Sequence, residues 1–558
     1  MKKETLANQA TRTRISSPSR RQFLGKAGSL TAATIAASAI GLEPLINSKP
    51  STAQAAERAA IFGNPRRNVA FKIRQDAAIA QRNKALPRET PNNDEYTYDT
   101  KIGNYSKGLP HNQLGQVELS AYGKFQNACQ TGRPVDFEAV PMGGTAKQVC
   151  PQSGLCFVLE GGDLQSYFVD TVPAFNSEQQ ASEIIELYWQ ALTRDIPFRE
   201  YNANPLIAQA AAELSETPNF RGAKMDGKIA PETLFRGETS GDLRGPYISQ
   251  FLWKEVPSGP HTIIQKYNVP LAGDFMTSYD EWLRVQRGFA PTAIFSYDPT
   301  PHYIRNGRDL GGYVHKDYTY QAFLYAALIL LSHGAAALDE ANPYKSYKTQ
   351  TGFSAFGAPD ILDMVTRAAN AALKAAWYQK WYVHRRVRPE AFAGHLHNHK
   401  IGAAKYDINA EAVESKAAEE TFKRYGTYLL PMAYPEGSPL HPAYPSGHAA
   451  IAGACATILK AFFNESFVLP NPVEASADGL SLHPYNGALT VGDEVNKLAA
   501  NIAFGRNTAG VHWRTDAGEG IRLGEQVAIR IMEDMKECYN EDFKGYALTK
   551  FSGIKTNI

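Results

Sequence analysis

Glu436-Gly-Ser-Pro-Leu-His441-Pro-Ala-Tyr-Pro445-Ser446-Gly447-His448 runs directly into Ala449-Ala-Ile-Ala-Gly-Ala-Cys-Ala-Thr-Ile-Leu-Lys460, and this junction decides how the chain is read. The first part carries prolines that neither a helix interior nor a central strand accepts. The second is an unbroken run of small and aliphatic residues, the composition of a buried helix. Ser446 stands where a helix N-cap belongs, so its Oγ and the free N–H groups behind it, Gly447 foremost, gather at the positive end of a helix. That arrangement receives an anion. The plain alternative is an ordinary Ser-capped core helix, but His448 directly after the cap and His441 seven residues before it weigh against so bland a role.

Working outward, two further segments bring charge of the right sign. Trp377-Tyr-Gln-Lys380-Trp-Tyr-Val-His384-Arg385-Arg386-Val-Arg388-Pro389 reads as the end of a helix that begins near Asp360 and is stopped by Pro389. At helical spacing Trp377, Lys380, His384 and Arg388 share one face. Ala503-Phe-Gly-Arg506-Asn-Thr-Ala-Gly510-Val-His512-Trp-Arg514-Thr-Asp516 lies between two helical patterns and adds a third cation, with His512 on a glycine-containing turn. Each segment alone has a commonplace reading, as a solvated basic face or a hydrogen-bonded core histidine. Together, Lys380, Arg388, Arg506 and a helix N-terminus are the donors that a tetrahedral oxyanion needs, with His512 as an axial nitrogen.

The rest of the chain sets the frame. Its 558 residues, with 43% hydrophobic and 20% charged, form a large globular core rather than a disordered or disulfide-built one. A formal net charge of +2 gives no global field for nucleic acid or anionic lipid. Stretches such as Glu178–Thr193 and Tyr320–Leu338 carry helical periodicity with no series of strand alternations, so a mainly α protein is expected. Tyr320–Leu338 is read as a buried central helix, not a membrane span. Residues 56–175, rich in Pro, Gly, Asn and Tyr, are expected to form an irregular N-terminal arm, within a leading region 56–240 that precedes a helical core at 241–558.

Lys380-x7-Arg388-Pro389, Pro445-Ser446-Gly447-His448 and Arg506-x5-His512-x3-Asp516, in this order, resemble the vanadium-dependent haloperoxidases and the related phosphatidic-acid-phosphatase-type acid phosphatases. The spacer between Lys380 and Arg388, one residue longer than the phosphatases usually have, His441 before the helix, and Trp377 three residues before Lys380 resemble the algal-type bromoperoxidase subfamily, over about 241–558. One departure is Gly505, where the wider superfamily usually has Ser.

The resemblance implies two four-helix bundles forming one large unit. It implies a vanadate cofactor whose vanadium is ligated by His512, with Lys380, Arg388, Ser446, Gly447 and Arg506 on its oxygens. It implies His448 as the acid–base residue toward hydrogen peroxide, oriented by an upstream acid for which Asp317 is nominated, and His441 and Trp377 on the halide side. Lys380 adds positive charge during catalysis. The implied reaction turns bromide or iodide and hydrogen peroxide into hypohalous acid, which halogenates a small organic acceptor. Similar bromoperoxidases are homo-oligomers. The resemblance leaves room for a structural calcium, for which the sequence assigns no ligands. The competing activity is an exported acid phosphatase, with His512 as phosphoryl nucleophile and His448 protonating the leaving alcohol.

Other features are set aside. His395-Leu-His397-Asn-His399 fits zinc only if extended and joined by a fourth ligand, and is otherwise a loop packed near the site. Arg305–Gly312 has glycines without a preceding strand and makes no dinucleotide loop. Asp516 is expected to cap the helix or neutralise Arg514. Cys150 and Cys156 either close a small loop or remain free thiols. Arg20-Arg21 in Ser19-Arg-Arg-Gln-Phe-Leu24, before the uncharged stretch Ala27–Leu42 and the small-residue site Ala53-Gln54-Ala55, reads as a twin-arginine signal over 1–55. It would export the protein to a periplasmic, cell-surface or extracellular location, with no membrane association after its removal.

Overall fold

The structure, a computed structural model, describes residues 62–558; the signal read at 1–55 lies outside the described residues. Two units are separated, Met1–Lys72 and Ile73–Ile558. The described residues of the first open helix α1, and all other elements belong to the second. Helices of eight or more residues are α1 (Asn64–Asn83), α2 (Leu119–Thr131), α3 (Glu178–Thr193), α4 (Pro205–Glu216), α5 (Tyr279–Gln286), α6 (Gly307–Lys316), α7 (Gln321–Ser332), α8 (Ala358–Tyr378), α9 (Pro389–Lys400), α10 (Lys416–Tyr425), α11 (Gly447–Phe462), α12 (Val491–Thr508) and α13 (Arg514–Met535). Strands occur only as three antiparallel two-stranded hairpins among the described residues. The mainly helical class expected from periodicity is the class observed.

The small residues of α11 have a direct structural cause. Every residue of α11 except His448 is buried, because α8, α12 and α13 surround it. A Cβ added at Gly453 would lie 2.1 Å from the Ile521 carbonyl oxygen of α13, and one at Gly524 would lie 2.0 Å from that of Ala450. Only glycine lets the two backbones approach so closely. These four helices share one large apolar core, which includes Met364, Ile451, Val495 and Leu523.

A second core gathers around α3, flanked by α4, α9 and α10. Residues Gln180 to Thr193 of α3 are all buried, Glu183 and Glu186 included. Those carboxylates are tolerated because they are paired: Glu186 takes a two-armed contact from Arg514 (2.5 and 2.9 Å), and Glu183 meets Arg386 at 3.1 Å. The second core is thereby fastened to the loop before α9 and to the first turn of α13.

Several expectations are corrected. The helix begun at Ala358 gives way to a wide turn over Gln379–His384 and stops at Arg385, whose φ of 43° is left-handed; Pro389 does not end it but opens α9. Arg388 therefore precedes a new helix instead of sharing a face with Trp377, Lys380 and His384. The run Tyr320–Leu338 is helical only to Ser332, with a tighter turn over Gly334–Ala337. The region 56–175, read as irregular, contains α1 and α2. His395, His397 and His399 sit on α9, not in a loop or extended strand.

Candidate active site

Four chain segments meet where α6 and α8 end, α11 begins and α12 passes to α13. They border a cavity of about 350 Å³ whose wall includes Trp377, His441, Gly447, His448, Arg506, His512, Asp317, His315 and Glu436. Lys380, Arg388 and Ser446, also named from sequence, sit behind this wall and are essentially inaccessible.

The helix start behaves as its sequence suggests. Ser446 caps α11 by accepting from the Ala449 N–H at 3.4 Å, and its own N–H donates to the Asp516 carbonyl at 2.9 Å. Lys380, fully buried, donates to the carbonyls of Pro442 and Ala443 at 2.9 and 2.7 Å. Arg388 bridges the histidines: Nη2 lies 3.0 Å from His441 Nδ1, and Nη1 lies 3.2 Å from His512 Nε2. Arg506 donates from Nη1 to the Val314 carbonyl at 2.8 Å, while its buried Nε has no partner. Trp377 and His441 are neighbours, with ring centroids 4.6 Å apart.

His512 is held by Asp516, whose Oδ2 lies 2.8 Å from Nδ1 and also accepts from the Trp513 N–H at 3.1 Å. A carboxylate at Nδ1 and an arginine donor at Nε2 assign the proton to Nδ1 and the lone pair to Nε2. The expectation that Asp516 neutralises Arg514 is thus corrected, because Arg514 is taken by Glu186. The other oxygen of Asp516 accepts from Arg386 at 2.8 Å. Asp317, nominated from sequence as the partner of His448, has its Oδ1 3.2 Å from His448 Nε2 and a side chain only 1% exposed. A side chain at Gly505 would meet Leu310 Cγ at 3.1 Å, so the serine common elsewhere has little room here.

The electrostatics point one way. Lys380, Arg388 and Arg506 have no carboxylate within ion-pair distance among the described residues, although all three are buried. Burial and then the neighbouring Arg388 guanidinium hold Lys380 well below its ordinary value, and burial lowers Arg388 to about 10. Burial, then Arg388 and Lys380, hold His441 and His512 well below the usual histidine range. His448 is lowered chiefly by burial, against the pull of Asp317. Uncompensated buried cations are costly unless an anion joins them, so the pocket is built to be completed by a multiply charged oxyanion.

Sequence reasoning missed the rest of the wall. His315 lies flat on Tyr434 (centroids 3.8 Å, 11°) and faces Glu436 at 2.6 Å. Lys107 pins the loop by donating to the carbonyls of Glu436 and Ser438 at 2.7 Å each. Only Asp317, two residues after His315, hinted at this side. The α9 histidines serve packing and backbone: His397 and His399 accept from the N–H groups of Tyr428 and Tyr406 at 3.2 and 3.1 Å. All cysteines are free thiols, Cys150 and Cys156 included.

Comparison with known proteins places this geometry. A family model described as the VCPO second helical-bundle domain matches residues 361–541. A vanadium-dependent bromoperoxidase of Ascophyllum nodosum is 35% identical across 84% of this chain and 90% of its own length. One from Corallina officinalis is 37% identical across 73% and 78%. The homohexameric structure of the second vanadate-dependent bromoperoxidase of Ascophyllum nodosum superposes with a TM-score of 0.84 at 29% identity, covering 93% of this chain and 94% of that one. An alignment over 84% of the chain is longer than 241–558 alone, so the similarity extends into the leading region, beyond the range read from sequence.

Proposed function

The chain belongs to the vanadium-dependent bromoperoxidases, and we propose on this basis that it uses hydrogen peroxide to oxidise bromide to hypobromous acid, which halogenates organic acceptors. In that reaction bromide, hydrogen peroxide and one proton give hypobromous acid and water. The observation that carries the reading is the set of buried cations, Lys380, Arg388 and Arg506, left without carboxylate partners around His512.

Vanadate fits that set. Arg506 offers an unpartnered buried Nε–H, and Nε2 of His512 offers a lone pair. His512 Nε2 would hold the vanadium; Lys380, Arg388, Ser446, the Gly447 N–H and Arg506 would hold its oxygens. Bound there, vanadate supplies a Lewis-acidic centre that activates peroxide toward halide without changing its own oxidation state.

The chain's own groups do the remainder. Asp516 fixes the His512 ring and its tautomer. Asp317 occupies Nε2 of His448, leaving Nδ1 as the nitrogen that exchanges protons with peroxide in the cavity. Burial keeps His448 unprotonated at neutral pH, as a proton acceptor must be. Trp377 and His441 form the halide side, and Lys380 adds charge from behind. A homo-oligomer and export by a twin-arginine signal over 1–55 complete the proposal, the first drawing on the homohexameric relative. Among the described residues no helix is long and apolar enough to cross a membrane, and no His, Cys, Asp and Glu are grouped to hold a metal ion.

The test is bromide oxidation by purified protein loaded with orthovanadate, beside the variant His512→Ala. The wild type turns over, and the variant loses both turnover and retention of orthovanadate through dialysis. Full turnover in His512→Ala would overturn the ligand assignment.

A further inference from the structure

Two carboxylates line the cavity, and the chemistry above uses one. Asp317 is committed to His448 and is 1% exposed; Glu436 has a side chain 46% exposed and therefore stands at the solvent rim. Its position is built. Glu436 Oε1 lies 2.6 Å from His315 Nε2, and His315 is stacked on Tyr434, whose hydroxyl is 3.3 Å from Arg506 Nη1. The backbone of the same turn is tied by Lys107 to the Glu436 carbonyl at 2.7 Å and by the Gly437 N–H to the Tyr434 carbonyl at 3.0 Å. Burial pushes the Glu436 carboxyl up, but the hydrogen bond and charge of His315 outweigh it and leave the group below its ordinary value, hence ionised.

A fixed negative charge at the mouth of a pocket backed by buried cations opposes the approach of anions while leaving neutral molecules untouched. We propose that Glu436 is a charge filter of the cavity: its carboxylate, held at the rim by His315, sets the affinity for halide and other small anions but not for hydrogen peroxide. This rests on the bromide-oxidising reading. His315 sets the strength of the filter, because its contact with Oε1 holds the carboxylate in place and ionised.

The test separates anions from neutral substrates. In Glu436→Gln the KM for bromide falls roughly two- to ten-fold at low ionic strength, the size expected of one partly screened charge, and the gap closes in high salt. The KM for hydrogen peroxide stays where it was. In His315→Phe, which keeps a ring against Tyr434 but removes the hydrogen bond that holds the carboxylate ionised and in place, the KM for bromide falls as in Glu436→Gln, by less. Vanadate-free protein gives a readout independent of turnover: inorganic phosphate, followed by calorimetry, binds more tightly to Glu436→Gln than to wild type. Unchanged bromide KM and phosphate affinity in Glu436→Gln would overturn the filter, as would bromide and peroxide KM values that move together. A wild type that fails to oxidise bromide would sink the activity and not the filter, which the phosphate titration still decides.

Discussion

His384 shows at the scale of one residue how charge is kept out of the wrong place. Its ring is buried against Tyr444 (centroids 4.9 Å), and neither nitrogen has a partner. Burial, with Arg385 and Arg386 nearby, lowers it to about 3. A histidine lowered in the folded state takes up a proton only on unfolding, so it costs no stability above the ordinary value of 6.5 and an increasing amount below it. His384→Phe should therefore change stability little at pH 7.5 and stabilise by about 2 kcal/mol at pH 5, at about 1.4 kcal/mol per pH unit. Urea unfolding at the two pH values checks this; equal differences at both would contradict it. The spacing of Lys380, Arg388, Ser446, Arg506, His448 and His512 was legible because each belongs to a local motif. The carboxylate behind His512 was legible only as a residue: Asp516 follows one turn later, but its choice of His512 over Arg514 depends on Glu186, which is 328 positions away from Arg514 in the chain.

Among the elements, α11 explains most. A helix of Ala and Gly with a Ser cap is readable from sequence, and so is its burial, because no polar face is present. What packs on it is not readable, since the fit with α13 depends on Gly453, Gly520 and Gly524 lying against backbone from a distant segment. This contact gives a paired prediction. Gly524→Val puts a side chain into the Ala450 carbonyl and should destabilise by about 3 kcal/mol or more, or prevent folding. Gly518→Ala, on the same helix with open space around it, should stabilise by about 0.5–1 kcal/mol through helix propensity alone. Thermal unfolding of both variants tests the contact, and a neutral Gly524→Val would refute it. The end of α8 was misread for a related reason: Pro389 is visible as a helix breaker, whereas the left-handed Arg385 that stops the helix earlier is held by a two-armed contact with Glu95 (3.0 and 2.6 Å).

Across the whole molecule, the second unit is arranged to hold positive charge in its interior. Two apolar cores, around α11 and around α3, are joined by the pairs Arg514–Glu186 and Arg386–Glu183, and those pairs leave Lys380, Arg388 and Arg506 as the surplus. The class of fold and the kind of anion were legible because composition and motif both speak of them; the joining pairs were not, because Glu183 and Glu186 look from sequence like a solvated helix face. An oxyanion that binds only the folded state should stabilise it, by about 2.7 kcal/mol at a hundredfold excess over Kd. Differential scanning calorimetry should accordingly show a higher Tm with orthovanadate and, more weakly, with phosphate, and no change with either would contradict the charge account. The central claim is that this pocket makes a vanadate-dependent bromoperoxidase, and bromination of a phenolic dye by vanadate-free protein, with bromide and hydrogen peroxide, tests it most directly. Activity should be absent at first, appear on adding orthovanadate and fall when phosphate competes. No bromination after orthovanadate, together with hydrolysis of a phosphate monoester that orthovanadate inhibits, would contradict it and make the same residues those of a phosphatase.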